Sequence, residues 1–190
     1  PGNSWMLGVG PENQKSRLML LTDSKYGFRG HDNALAVSLI RSSYDPDPYP
    51  EFGIHSFRLA LCVTTATTKQ GLIETAYDYC HPLTVLSAKP QKGEWPLSHG
   101  FITLKAGSVA ISAVKMPENG TSKEMIIRLY ETEGQETQVT LAFCRDIREA
   151  VLVDLNEQAL TKLPKPEVQD AQVTFGVDAA SLVSIRLLLD

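Results

Sequence analysis

The segment MIIRLYETEGQETQVTLAF, residues Met125–Phe143, decides the fold. Apolar side chains occupy every second position at its two ends: Met125, Ile127 and Leu129, then Val139, Leu141 and Phe143. This period of two is typical of a β-strand that buries one face. The cluster ETEGQE at 131–136 lies between the two ends and is rich in turn residues. The segment therefore predicts two antiparallel strands joined as a hairpin.

The same period recurs along the rest of the chain. Alternating apolar residues are found at Leu35, Val37 and Leu39, at Phe57, Leu59, Leu61 and Val63, and at Val183, Ile185, Leu187 and Leu189. The cluster PENGTSKE at 117–124 predicts a further reversal. Many short strands, each burying one face, predict a mostly β protein built as an antiparallel sandwich of two packed sheets.

One segment departs from the strand period. In KQGLIETAYDYCHPL, residues 69–83, the apolar positions follow helical spacing: Leu72, Ile73, Ala76, Tyr77 and Cys80. Pro82 disfavours continuation of a helix. We therefore expect one short helix that ends just before this proline.

Composition and charge exclude several classes of protein. A chain of 190 residues with 43% hydrophobic residues can bury a core as one large or two small domains. The net charge of −4 argues against nucleic acid as a partner. No apolar run is long enough to cross a membrane, so we expect a soluble chain. Three widely spaced cysteines predict reduced thiols in a cytosolic protein.

The residues that carry catalysis are hard to find in this chain. Its four histidines show none of the spacings that bind metals, so no metal site is predicted. Two carboxylate pairs occur, Asp45 with Asp47 in a proline-rich loop and Glu131 with Glu133 in the predicted hairpin turn. We interpret all four as solvated loop acids. The sequence therefore predicts no catalytic residue and an inactive isolated chain.

Several segments carry a family resemblance through their shared order. They are DSKYG (23–27), LAVSLIR (35–41), DPDP (45–48), CHPL (80–83), VAISAVKMPENG (109–120), MIIRLYETEG (125–134) and AVLVDLNE (150–157). Together they resemble the C-terminal β-rich region of the α-mannosidases of glycoside hydrolase family 38, in the branch without a secretory route. The resemblance covers about residues 18–157.

The resemblance implies a fold in two parts. Residues 1–106 would form the end of a larger, mutarotase-like supersandwich with longer, interrupted strands. Residues 107–190 would form a small immunoglobulin-like sandwich, with the boundary near Ala106 and Gly107. One short helix completes this expectation.

The resemblance also implies an activity and a set of partners. In the family, as the resemblance implies, retaining hydrolysis of terminal α-mannosides depends on an aspartate and a divalent metal ion, zinc, in an N-terminal catalytic domain. This chain would then be cytoplasmic and non-catalytic. Its implied partners are that catalytic domain, the α-mannoside substrate and a possible second copy in a homo-oligomer.

Arg41 is the first candidate for substrate binding. In some family members a loop of the β-rich region brings an arginine to the sugar pocket, and Arg41, before the DPDP loop, matches that position. A guanidinium is always charged and offers forked donors that can bind two hydroxyl groups or a carboxylate. The alternative is an ordinary arginine at a strand end, paired with Asp45 or Asp47.

Asp23, Lys25 and Tyr26 form the second candidate group, for substrate or interdomain contact. The alternative is structural: Asp23 would cap backbone N–H groups of a turn, with Gly27 supplying a permissive backbone angle. Trp95, in QKGEWPLSHG, is the third candidate, as a platform on which a sugar ring stacks. Other aromatic residues could also stack on a sugar: Tyr49, Phe52 and Tyr130. His55 is interpreted as a core or interface histidine.

Two hypotheses of function remain open. The first is a non-catalytic part of an α-mannosidase that stabilises the catalytic domain and lines the sugar pocket. The second is an autonomous carbohydrate-binding module of the sandwich class. The first predicts a broad exposed apolar patch, and the second a charged surface with one aromatic platform. A complete enzyme within these residues is the weakest alternative.

Overall fold

The computed structural model describes residues 4–10, 15–43, 45–46, 48–94 and 96–190. The chain divides into two compact units, unit 1 (Pro1–Ser87) and unit 2 (Ala88–Asp190). Most of the secondary structure is antiparallel β-sheet, which confirms the predicted fold class. The predicted boundary near Ala106 and Gly107 stays a prediction. Within the described residues, no helix has the length and apolar character that a membrane span requires.

Unit 1 contains five strands and one helix. They are β1 (Trp5–Leu7), β2 (Arg17–Thr22), β3 (Phe28–His31), β4 (Ala34–Val37), β5 (Leu59–Thr64) and α1 (Lys69–Cys80). The order β1-β2-β5 forms a three-stranded antiparallel sheet, and β3 pairs with β4 as a separate hairpin. The strands of unit 1 have three to six residues, so the longer strands expected in this half are not present in its described part.

The predicted helix is confirmed. It begins after Thr68, whose Oγ1 accepts a hydrogen bond of 3.1 Å from the backbone N–H of Gly71 and so caps the helix. It ends at Cys80, two residues before Pro82. One side of the helix packs on the sheet and forms the core of unit 1: Met19, Leu21, Leu72 and Ala76.

The predicted buried face of β5 is wrong. Leu59, Leu61 and Val63 are 42%, 71% and 71% exposed, whereas Ala60 and Cys62 pack against the core beneath α1. Both faces of this strand are apolar, and the alternation pattern predicted burial of the face that carries the bulkier side chains. The helix, however, covers the other. Unit 1 therefore presents an apolar sheet face that nothing within the described residues of this unit covers completely.

The ends of two other predicted strands also differ. β4 ends at Val37, and Leu39, which was expected to continue it, is 39% exposed in the loop beyond. β5 starts at Leu59, so Phe57 lies outside the strand. In both places the apolar alternation extends further along the sequence than the hydrogen-bonded ladder does.

Unit 2 is built from eight strands in two sheets. They are β6 (Ile102–Ala106), β7 (Val109–Lys115), β8 (Glu124–Glu131), β9 (Thr137–Phe143), β10 (Ile147–Val153), β11 (Glu167–Gln169), β12 (Gln172–Val177) and β13 (Leu182–Leu189). One sheet has the order β10-β13-β8-β7 and the other β11-β12-β9-β6, both antiparallel.

A single hydrophobic core lies between these two sheets. Fully buried residues from the first sheet, such as Ile127, Leu129 and Ile185, belong to the same cluster as Val139 and Leu141 from the second. This shared core confirms the predicted sandwich. Burying one apolar face of each sheet is the arrangement that two-layer β-proteins use to remove apolar surface from water.

The two predicted reversals have different outcomes. The cluster at 117–124 joins β7 to β8, which pair as an antiparallel hairpin, as expected. The cluster at 131–136 does not form a hairpin, because β8 and β9 belong to different sheets. This connection instead carries the chain from one layer of the sandwich to the other.

Glu131 explains that crossing. This carboxylate is only 6% exposed. It accepts hydrogen bonds from the backbone N–H groups of Glu133, Gly134, Gln135 and Ala180 and from the Ser108 hydroxyl, at 2.6–3.2 Å. The interpretation of Glu131 as a solvated loop acid is therefore wrong. It ties three connections together at one end of the sandwich: β6–β7, β8–β9 and β12–β13.

Candidate functional site

An ion pair joins the DSKYG turn to the start of β5. Asp23 Oδ2 lies 2.8 Å from Arg58 Nε, with 25% and 55% of the two side chains exposed. The antiparallel register accounts for this contact. Thr22 pairs with Leu59, so Asp23, one residue after Thr22, lies opposite Arg58, one residue before Leu59. The pair closes the open end of the β2–β5 ladder.

Aromatic rings extend this ion pair into a larger cluster. Lys25 Nζ lies 4.4 Å from the centroid of the Phe57 ring, and the Arg58 guanidinium lies 5.4 Å from that of Tyr79. Arg58 Nη2 also donates a hydrogen bond of 3.2 Å to the Tyr79 carbonyl oxygen. His55 stacks on Phe57 at 6.2 Å. We call this group the cation–aromatic cluster: Asp23, Lys25, His55, Phe57, Arg58 and Tyr79.

The structural alternative for the turn proves partly wrong. The backbone N–H groups of Ser24 and Lys25 are capped by Thr22 Oγ1 at 3.3 and 3.1 Å, so Thr22 has the role expected of Asp23. Gly27 is not among the glycines with a positive φ. A Cβ there would lie 3.1 Å from Ser38 Cβ, so the glycine allows a close approach of the residue that follows β4. The Asp23 carboxylate pairs with Arg58 instead.

A cysteine lies at the inner edge of the cluster. Cys80 Sγ donates a hydrogen bond of 3.4 Å to the Thr22 carbonyl oxygen. Burial raises the pKa of the Cys80 thiol above its ordinary value, the Asp23 charge raises it further, and Arg58 opposes both. The thiol therefore stays protonated at neutral pH, as expected of a reduced cysteine. His55 Nε2 lies 2.9 Å from the Glu51 carbonyl oxygen and 3.8 Å from Glu51 Oε2, so its second interaction is with Glu51.

The other predicted site residues do not join the cluster. Arg41 is exposed in the loop after β4, and within the described residues it forms no ion pair with Asp45. Tyr26 is 63% exposed. Trp95 and Asp47 lie outside the described residues. The structure thus brings together Asp23 and Lys25, and it leaves Arg41 and Tyr26 on the exposed surface of unit 1.

The cluster combines charged and aromatic groups that contact one another. Lys25 and Arg58 supply charged donors, Asp23 supplies an acceptor, and Phe57 and Tyr79 supply ring faces. Among the described residues, no group of three histidine, cysteine, aspartate or glutamate side chains could hold a metal ion. The family resemblance places the metal ion in the catalytic domain, and that placement stays a prediction.

Sequence reasoning missed Arg58 and Phe57. Arg58 becomes the neighbour of Asp23 only through the register that pairs Thr22 with Leu59. That register could not be selected from alternation alone, since the apolar pattern of β5 is compatible with either face being buried.

Comparison with known proteins identifies the region. The family model described as the glycosyl hydrolases family 38 C-terminal beta sandwich domain matches residues 108–182. The chain contains a family 38 C-terminal β-sandwich domain. The match falls within unit 2, from the start of β7 to the start of β13.

Relatives extend the similarity beyond that domain. The chain is 30% identical over 143 residues to human alpha-mannosidase 2C1 and 31% identical over 144 residues to the mouse protein of that name, in each case over 74% of this chain. It is 23% identical over 158 residues to an alpha-mannosidase of Saccharomyces cerevisiae, over 75% of this chain. The chain spans about 14% of the length of each of these three relatives.

Proposed function

We propose that this chain is the non-catalytic C-terminal β-region of a cytoplasmic, retaining α-mannosidase, which hydrolyses terminal α-mannosides. In this proposal the chain supports the catalytic domain and is inactive alone. Similarity to three α-mannosidases over about three quarters of the chain supports the activity class. The divalent metal ion, zinc, then belongs to the catalytic domain, whose nucleophile also lies outside this chain.

The observation that carries the supporting role is the apolar face of unit 1. Leu18 pairs with Val63 across β2 and β5, and both are exposed, at 45% and 71%. Leu59 and Leu61 continue the same face along β5, whereas Leu20, which pairs with Leu61, is only 7% exposed, so the exposed part of the face follows β5 and the start of β2. A contiguous apolar sheet face is costly in water and is typical of a surface that another part of the protein covers. We assign this face, Leu18, Leu59, Leu61 and Val63, to packing against the rest of the enzyme.

The same proposal gives Arg41 contact with the sugar. Its exposure supports a guanidinium that a ligand can reach. The ion pair between Asp23 and Arg58 fixes the turn that carries Lys25 and Tyr26. We therefore propose that Arg41, Asp23, Lys25 and Tyr26 take part in sugar binding, and we keep Trp95 as a separate proposal for stacking on a sugar ring.

A pair of charge insertions tests the supporting role in the complete enzyme. The double variant Leu61→Asp/Val63→Asp places two carboxylates on the apolar face, where burial against another domain would disfavour their charge. We expect loss of α-mannosidase activity and of soluble enzyme. Leu83→Asp/Val85→Asp is the matched control, because both residues are almost fully exposed after α1, at 94% and 89%. Wild-type activity of the double variant would contradict the proposal.

A second substitution tests the sugar contact separately. Arg41→Gln should raise the KM for p-nitrophenyl α-mannoside while the enzyme folds normally, because only a surface donor is removed. Arg29→Gln, an exposed arginine on β3, is the control. An unchanged KM in Arg41→Gln would remove Arg41 from the pocket and leave the supporting role standing.

An autonomous carbohydrate-binding module is the second candidate function. Tyr49 and Phe52 favour it, because both are largely exposed, at 74% and 80%, and their ring centroids lie 6.4 Å apart. Exposed aromatic rings are surfaces on which a sugar face can stack. Titration of the isolated chain with methyl α-mannoside, followed by amide NMR shifts, separates the two functions. Saturable shifts around residues 49–52 would favour the module, and unmoved peaks would favour the supporting region.

A further inference from the structure

A groove lies at one end of the unit 2 sandwich and has no role in the proposal above. It has a volume of about 620 Å³, which is within the range of ligand sites in proteins. Its walls come from the ends of β10 and β12, the starts of β9 and β13, and the connection from β10 to β11. Both sheets of the sandwich thus contribute to it.

Leucine side chains form much of the apolar part of the groove. Leu155, Leu160 and Leu163 come from the β10–β11 connection, and Leu182 from the start of β13. They are 38–61% exposed, so each still presents apolar surface to solvent. The connection is held in place by backbone bonds, including a hydrogen bond of 2.8 Å from the Leu160 N–H to the Leu152 carbonyl oxygen. The leucines are therefore presented by an ordered part of the fold.

The charged residues of the groove are all acidic. Glu136, Asp154 and Asp178 line it, and no lysine, arginine or histidine is among its described lining residues. Asp154 Oδ1 accepts two backbone hydrogen bonds of its own turn, so its charge is fixed in position. The nearest basic residues along the chain, Lys162 and Lys165, flank Leu163 without lining the groove.

A glycine opens one wall. Gly176 lies within β12 opposite Gln138, and both residues line the groove. A Cβ at Gly176 would lie 3.7 Å from Gln138 Nε2, an ordinary contact, and its φ is not positive. The fold therefore does not require glycine at this position. A glycine inside a strand often marks a place where another chain or a ligand approaches closely.

We propose that this groove binds a polypeptide segment in which apolar side chains alternate with lysine or arginine. The leucines would bury the apolar side chains, and the three carboxylates would pair with the cations. A sugar fits less well, because the described lining contains no aromatic ring for stacking and no basic donor for its hydroxyl groups. The charge of the groove selects a basic partner over an acidic one.

Peptide binding to the 190-residue chain tests this proposal. Three fluorescein-labelled peptides, (Lys-Leu)₄, (Glu-Leu)₄ and (Lys-Ser)₄, are compared by fluorescence anisotropy at low and high salt. We expect saturable binding of the Lys-Leu peptide, at least about tenfold tighter than either of the others, and weaker binding at high salt because the ion pairs are screened.

Matched variants test whether the peptide binds in the groove. Glu136→Lys/Asp178→Lys should weaken binding about tenfold or more, whereas Glu94→Lys/Glu167→Lys makes the same change of charge elsewhere and should not. Gly176→Ala should weaken binding without unfolding the chain, because the site has room for a Cβ. Leu155→Ser should weaken it, and Leu97→Ser should not.

Three results would overturn the proposal. They are no binding of the Lys-Leu peptide, equal binding of all three peptides, and binding that the groove variants leave unchanged. Sedimentation velocity adds a further check. Self-association of the chain that Leu155→Ser abolishes would mean that a second copy, and not a basic segment, occupies the groove.

Discussion

Two leucines on opposite faces of the same sheet give the sharpest prediction of the account. Leu21 on β2 is 3% exposed and packs beneath α1, whereas Leu61 on β5 is 71% exposed on the opposite, incompletely covered face. We predict that Leu21→Ala strongly destabilises unit 1 of the isolated chain and that Leu61→Ala does not. Alternation along the sequence treats the Leu61 face as buried, so the contrast tests the structure directly.

The magnitudes follow from burial. Replacing a buried leucine by alanine costs about 2.7–5 kcal/mol, and we expect about 3 kcal/mol for Leu21 because the two-layer core of unit 1 is small and can relax. Less than a third of Leu61 is buried, so its truncation should cost at most about 0.5 kcal/mol. With a urea dependence of about 1 kcal/mol per molar, Leu21→Ala lowers the urea midpoint by about 3 M.

The assay uses tryptophan fluorescence. The chain has two tryptophans, and Trp5 packs against the core of unit 1. In a Trp95→Phe background, Trp5 reports the urea unfolding of unit 1 alone. Equal losses of stability in Leu21→Ala and Leu61→Ala would show that Leu61 is buried like Leu21. That result would remove the main support for a role in packing against the rest of the enzyme.

Three further predictions concern single residues. Burial raises the pKa of Glu131, but hydrogen bonds from backbone N–H groups outweigh this effect and lower the pKa from 4.5 to about 2. The ionised carboxylate therefore stabilises the fold fully above pH 4.5, and this stabilisation is lost as the pH falls towards 2. Glu131→Gln should therefore lower the melting temperature at pH 7 and matter progressively less as the pH falls below 4.5; a pH-independent difference would contradict this. Gly107 has φ +108°, and a Cβ there would lie 2.9 Å from Val139 Cγ2. Gly107→Ala should therefore lower the free energy of unfolding in urea by about 1–3 kcal/mol, and an unchanged free energy would contradict this backbone conformation. Because the pKa of Cys80 is raised and its Sγ contacts the Thr22 carbonyl oxygen, iodoacetamide should alkylate it more slowly than free glutathione, as read by mass spectrometry; a faster reaction would argue against the buried, protonated thiol.

The sequence predicted the structure best where its pattern of apolar residues was compatible with only one structure. The helix at 69–80 was predictable because its apolar residues share one side and Pro82 stops it. The strands around Met125–Phe143 were predictable from alternation, but their pairing was not. A hairpin and a crossing between sheets use similar turn residues, and the difference lies in the hydrogen bonds that Glu131 accepts from distant connections.

The candidate site shows the same limit. Asp23 and Lys25 were predicted from the DSKYG segment, but Arg58 enters the site only through the register of β2 with β5. In β5 both faces are apolar, so neither the register nor the buried face could be chosen from the pattern of that strand. The exposed apolar face was predicted as a property of a region that packs on another domain, and its residues became known only from the structure.

The most direct test of the central claim is α-mannosidase activity after co-expression. The rest of the enzyme, without these 190 residues, is produced with either the wild-type chain or the Leu61→Asp/Val63→Asp chain, and hydrolysis of p-nitrophenyl α-mannoside is measured. We predict no activity from the chain alone, and activity that the wild-type chain restores and the double variant does not. Hydrolysis by the isolated chain, or full activity of the enzyme without it, would contradict the account.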